Sequence, residues 1–108
     1  MRGPDSKHPQ WIREFYDNGQ IEWNIPLDEN GKRHGVAEQF YDDGSPKLTR
    51  TAVHGREEGR ETLYYRDGKV AHTLDFVNGL QHGEYVRYDP DGTVIERARY
   101  EEGILVKT

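Results

Sequence analysis

The side chains of this chain that could do chemistry are its histidines and carboxylates, and their spacing limits what either set can do. His34 and His82 each stand directly before a glycine, in KRHG and LQHG. Recurring imidazoles invite a zinc reading, because zinc takes nitrogen ligands about 2.1 Å from the ion. Geometry opposes it. Two strands per unit at about 4.8 Å put equivalent positions of adjacent units roughly 10 Å apart. These two histidines are two units apart, with Glu58 at the intervening place. A loop-structural role is expected for both, strand-face packing for His72, and no metal site.

The carboxylates Asp42, Asp43, Asp67, Asp89 and Asp91 gather beside glycines, where aspartate accepts backbone hydrogen bonds in turns. Acid–base catalysis needs two carboxyls about 5 to 9.5 Å apart facing one substrate in a recess. A thin sheet without long lids offers no such recess. Cysteine is absent, which excludes disulfides, thiolate metal sites and a cysteine nucleophile. The chain also lacks a phosphate loop, His-Glu-x-x-His and Gly-x-Ser-x-Gly. The expectation is a protein that is not an enzyme, with no catalytic residues and no cofactor.

The elements that position these residues follow a 24-residue period. Gly31, Gly55, Gly79 and Gly103 form one series, Gly35, Gly59 and Gly83 a second, and Gly44, Gly68 and Gly92 a third. Phe40, Tyr64 and Tyr88 keep the same period, and Phe15 heads an earlier copy whose following segment carries one extra residue before Gly31. Such regularity is the signature of a repeat protein. Each unit reads as two short strands joined by glycine turns, with turns at 18 to 19, 43 to 44, 67 to 68 and 91 to 92. With Asp67-Gly68 at a turn centre, Tyr65 faces Val70 and Leu63 faces His72; in the next unit Asp89 faces Val94 and Arg87 faces Glu96. NGLQHG at 78 to 83 reads as a wider loop. No stretch between glycines is long enough, or periodic enough, for a helix.

Only 32% of the chain is apolar and 32% is charged, too little apolar material for a large two-layer core. The predicted fold is therefore all-β, a single-layer antiparallel meander of eight short strands in about four hairpin repeats, held by contacts between neighbours. Residues 1–10, MRGPDSKHPQ, read as a flexible lead-in and 11–108 as the repeat domain. The aromatic column Phe15, Phe40, Tyr64 and Tyr88 is expected to pack against neighbouring strands or loop glycines.

YYRDG at 64 to 68 with NGLQHG at 78 to 83, and FYDDG at 40 to 44 with NGKRHG at 30 to 35, resemble the MORN repeat variant family, in the form found in bacterial YwqK-type antitoxin proteins. Three departures stand out: Asp89 replaces the tyrosine of 41 and 65, His54 replaces the loop asparagine, and the first unit has its insertion. The resemblance implies a scaffolding or attachment module. Its sharpest form is an antitoxin-like or immunity-like inhibitor that binds a partner protein; the alternative is a self-associating structural or scaffold protein.

A formal charge of −5, with basic residues scattered, argues against nucleic acid as partner. No polybasic cluster, lipidation signal or transmembrane-length apolar stretch is present, so no membrane partner is expected and the default location is cytoplasmic. A protein partner is favoured, with a homo-oligomer as the rival. Trp11, Trp23, Tyr41 and Tyr65 are the candidate protein-binding anchors, being residue types that dominate interface energetics.

Overall fold

Glycine-closed hairpins account for residues 10 to 106, the range described by the computed structural model. The strands are β1 (Trp11–Phe15), β2 (Ile21–Pro26), β3 (Gly35–Phe40), β4 (Pro46–Val53), β5 (Arg56–Glu57), β6 (Gly59–Tyr64), β7 (Val70–Val77), β8 (Leu80–Tyr88), β9 (Val94–Glu101) and β10 (Ile104–Val106). They form one open antiparallel sheet in chain order, with the short β5 beside β4. Ten strands replace the predicted eight because the chain breaks at Glu58, splitting β5 from β6, and turns back after Glu101 to add β10. The expected lead-in lies outside the described residues except for Gln10.

Two kinds of turn alternate. In the first, Gly68 N–H donates to the Tyr65 carbonyl at 3.0 Å and Tyr65 N–H to the Lys69 carbonyl at 2.8 Å. Gly68 holds a φ of 93°, a left-handed angle that a Cβ would oppose. This is a type I turn closed by a glycine bulge, and the same bonds recur at 16–20, 41–45 and 89–93. The glycine thus ends a four-residue turn instead of sharing the centre of a two-residue one. As a result Tyr64, not Tyr65, pairs with Val70, and Tyr88, not Asp89, pairs with Val94. Leu63–His72 and Arg87–Glu96 pair as predicted. One unpaired residue after each turn, Glu22, Lys47, Ala71 or Ile95, absorbs the difference in register.

The second kind is tighter than the sequence pattern implied. His54-Gly55, Asn78-Gly79 and Glu102-Gly103 are two-residue turns in which both members have positive φ, 51° at Asn78 and 83° at Gly79. That is the type I′ geometry that matches strand twist. NGLQHG is therefore not a wide loop: Leu80 already begins β8, and Gly83 lies inside it. The second glycine is needed for its backbone: Gly83 holds a φ of 108°, which a side chain would strain, and the Asp75 carboxylate lies 3.3 Å from where a Cβ would sit. The first unit, with its extra residue, instead uses a longer turn from Asp28 to Gly31.

Each unit is bonded to the next through both rows of turns. Tyr16 donates its hydroxyl to the Phe40 carbonyl at 2.7 Å, Tyr41 to the Tyr64 carbonyl at 2.6 Å and Tyr65 to the Tyr88 carbonyl at 2.7 Å. On the opposite side, the N–H groups of Gly55, Gly79 and Gly103 donate to the carbonyls of Arg33, Glu57 and Gln81 in the preceding unit. The 24-residue period of the sequence is thus the period of these links.

The molecule measures 58 × 35 × 14 Å, with a radius of gyration of 16.3 Å against about 13 Å for a compact domain of this length. Its small core, Ala37, Leu48, Ala52, Ala71, Leu74 and Val86, is distributed along the sheet, and among the described residues no large side chain is fully enclosed. Phe40, Tyr64 and Tyr88 are half-buried as expected, whereas Phe15 is 59% exposed. Phe15 sits on the outermost strand, and among the described residues no preceding unit covers it.

The hydroxyl links yield a direct stability comparison. Tyr65→Phe should lower the unfolding free energy by about 1 kcal/mol, the usual worth of one such bond, with an unchanged urea m-value. Asp89→Tyr should bring no matching gain and should itself lower stability by about 0.5–1 kcal/mol, because it removes the bonds that the Asp89 carboxylate accepts from the Asp91 and Thr93 N–H groups and among the described residues no further hairpin offers a carbonyl to the new hydroxyl.

Candidate functional site

Residues directly opposite each other in an antiparallel pair share a face. Trp23, Gln39, Leu48, Leu63, His72, Arg87 and Glu96 consequently form one row across the sheet. The adjoining row on that face contains Ala37, Arg50, Glu61, Leu74 and Tyr85. In this row Glu61 is the buried polar exception, its side chain only 8% exposed. One carboxylate oxygen takes Arg50 at 2.7 Å, and the other meets His72 Nε2 at 3.3 Å. The His72 ring also packs against Tyr85, with centroids 5.6 Å apart. The cluster bridges β4, β6 and β7 at the middle of the sheet. Because both carboxylate oxygens are occupied, Glu61 acts as a tie between strands and not as a free base.

A second polar cluster lies at the type I′ turns. The Asp28 carboxylate, 3% exposed, receives His54 Nδ1–H at 2.7 Å and the N–H groups of Asn30 and Lys32. The hydrogen bond from His54 is the main reason its pKa falls to about 2, with the Lys32 and Asn30 N–H groups adding to it. His34 Nδ1 in turn accepts the His54 N–H at 3.0 Å, and the two rings stack 4.3 Å apart. His82 accepts the Glu102 N–H in the same way, and Glu58 accepts the Asn78 N–H between them. Each of these side chains therefore seats the left-handed residue of the next turn. Among the described residues no group of three or more His, Cys, Asp or Glu side chains is placed to hold a metal ion.

Of the turn aspartates, Asp43, Asp67, Asp89 and Asp91 accept backbone N–H bonds as expected. Asp42 instead pairs with Arg66 in the next unit at 2.9 Å. The four candidate anchors separate. Tyr41 and Tyr65 are half-buried and spend their hydroxyls on the links between units; Lys47 and Arg66 flank the Tyr41 ring. Trp11 and Trp23 share the first hairpin but lie on opposite faces, because Trp23 pairs with Glu14 whereas Trp11 is three residues away on the same strand. Trp11 is 44% exposed and carries Arg13 over its ring at 4.3 Å.

Sequence reasoning missed Ile12 and Phe15, which with Trp11 leave β1 exposed along its whole length. The available signal was position: the first unit of a stack has one side without a neighbour. Beside these residues runs a shallow groove of about 270 Å³ lined by Arg13, Phe15, Ile21, Asn24, Glu38 and Phe40. A larger cleft near the other end is lined by Glu84, Glu96, Arg97, Ala98, Arg99, Leu105 and Val106. Its charges are engaged locally, Arg97 with Glu84 and Arg99 with Glu101. The first hairpin is therefore the candidate binding surface.

Residues 33–51, 57–78 and 81–105 match the MORN repeat variant family model, more than half of the chain, and the chain belongs to that family. The first hairpin lies outside the matched segments although it repeats the same turn and hydroxyl link. No curated protein and no solved structure matches the chain. Repeats of this family are commonly associated with protein or membrane-lipid binding and are generally binding or structural modules. No helix among the described residues is long and apolar enough to cross a membrane.

The two polar clusters can be tested through stability. Glu61→Ala should cost about 2 kcal/mol, less than for a fully enclosed pair because Arg50 and His72 remain partly solvated. Joint replacement Arg50→Met with Glu61→Leu should recover most of that loss in urea titrations. Asp28 has a folded-state pKa below its ordinary value of 3.8. Its contribution is therefore full above about pH 4 and is lost as pH falls towards about 2. Asp28→Asn should flatten that part of the stability–pH curve.

Proposed function

We propose that this chain is a protein-binding module that contacts its partner through the first hairpin, and that its role is antitoxin-like or immunity-like inhibition of that partner. The observation that carries the reading is the exposure of Trp11 and Phe15, 44% and 59%, on one face of β1, with Ile12, 42%, on the other. Large apolar side chains grouped at one place on a charged surface are a feature of interaction sites. The net charge of −5 favours a basic protein over an anionic lipid surface or nucleic acid. Tyr41 and Tyr65 support the site indirectly, by holding the units in register. The antitoxin role rests on the resemblance of the repeat motifs to YwqK-type proteins.

Self-association into a scaffold is the second reading, favoured by the open edge at β1. Affinity capture from the source cell, combined with a solution mass measurement, separates the two. The expected outcome is a stoichiometric foreign protein that is lost when Trp11→Ala and Phe15→Ala are combined, with thermal unfolding unchanged. Co-expression should then suppress the partner's activity. A stable homodimer with no foreign protein, or capture indifferent to the double substitution, would overturn the proposal.

A further inference from the structure

The first hairpin also presents backbone, and its direction can be read from the ladder. The Gln10 carbonyl accepts from Leu27 N–H, and Tyr16 N–H donates to the Gln20 carbonyl, so positions 10 and 16 turn their peptide groups inward to β2. Alternation along the strand then points the N–H and C=O groups of Trp11, Arg13 and Phe15 outward. Pro26 fits this phase: it lies opposite Trp11, where no donor towards β1 is needed. The same three residues share a side-chain face, since they are two apart in an extended strand. Nothing pairs with this edge among the described residues, because β1 is the outermost strand.

We propose that the outer edge of β1 is a strand-addition site for an extended segment of a partner protein, with an acidic residue opposite Arg13 and apolar residues opposite Trp11 and Phe15. This rests on the reading of the first hairpin as the protein-contact surface and names the form that contact takes. Peptide groups supply the attachment, and the side chains opposite supply the selection. Arg13 sets the charge requirement. Its Nε–H is held by Asn24 and its guanidinium lies over Trp11, which fixes the cation on this face. Among the described residues it makes no salt bridge, so its charge is available to an incoming carboxylate.

Charge also decides against a second copy as occupant. An antiparallel β1–β1 pairing that uses all three outward positions must be centred on Arg13, which places two arginines directly opposite each other. The same register would set Trp11 against Phe15 of the other copy, a favourable contact, but the central repulsion remains. A foreign strand with glutamate or aspartate at the centre keeps the apolar contacts and replaces repulsion with attraction.

The test uses the full chain and the capped synthetic peptide Ser-Val-Thr-Glu-Thr-Val-Ser, with a second peptide carrying Lys for Glu. Titration calorimetry should give at least tenfold tighter binding to the acidic peptide, and Arg13→Glu should reverse the order. Amide exchange should slow at Trp11, Arg13 and Phe15 on binding, by at least tenfold, and change little at Ile12 and Glu14, which already face β2. Equal binding of the two peptides, no binding at millimolar concentration, or protection confined to other strands would overturn the proposal. Mass measurement at the same concentrations checks the second copy: a dimer that the acidic peptide fails to dissociate would also overturn it.

Arg13→Pro removes the outward N–H together with the guanidinium and its bond to Asn24, and leaves the Trp11 and Phe15 side chains in place. If Trp11→Ala with Phe15→Ala abolishes capture of the natural partner but Arg13→Pro retains it, the strand-addition proposal fails while the protein-binding reading stands. If neither change affects capture, both fail. Should Arg13→Pro not fold, Arg13→Glu and a peptide N-methylated at its β1-facing amides give the same division, with loss of binding expected for both.

Discussion

A sheet with no second layer has nowhere to bury a continuous apolar face, so each hairpin must be held by the hairpin beside it. This constraint governs the rest of the structure. The tyrosine hydroxyl that reaches the next unit's backbone carbonyl is its clearest expression, because it joins a side chain at one turn to the main chain of the next at a fixed distance along the sequence. The glycine N–H bonds on the opposite side do the same. Together they pin both ends of every hairpin, and the ladder between them has only to remain in register.

Register in turn explains the bulges. A four-residue turn closed by glycine shifts the pairing near the turn by one position relative to a tight two-residue turn, and the unpaired residue after it shifts the pairing back. Side chains along the middle of each strand consequently keep one face from unit to unit, including the apolar residues and the threonines Thr49, Thr62 and Thr73 that pair across the opposite face. The Arg50–Glu61–His72 cluster sits in this alignment at positions where the next unit carries Leu74, Tyr85 and Glu96. It is sustained by complete pairing, since a lone buried carboxylate would lose solvation without recompense.

Stacking by neighbour contact leaves the ends unlike the middle. At the last complete unit the tyrosine of the series is replaced by Asp89, whose carboxylate bonds its own turn instead of a neighbour. At the first, Ile12 and Phe15 are uncovered while their counterparts inside the stack are half-buried or enclosed, and Trp11 stands at a position that is exposed in every unit. The rule that gives stability also leaves an open edge: among the described residues no further strand pairs with the outer side of β1.

The sequence by itself determined the period, the absence of helix, the single antiparallel layer and the location of every Asp-Gly turn, because glycine spacing and aromatic phase are local signals that survive without knowledge of distant contacts. It also separated His34 and His82 from each other correctly, since repeat length alone sets their distance. The tertiary structure decided what spacing cannot encode. Whether Asp67-Gly68 centres a turn or closes one depends on backbone angles, and whether Tyr41 is an anchor or a link depends on which carbonyl its hydroxyl reaches. The joining of Arg50, Glu61 and His72 likewise needed three strands in register. The exposure of Phe15 depended on the strand order that put β1 at the edge, because the same residue type at 40 is covered by a neighbour and at 15 is not.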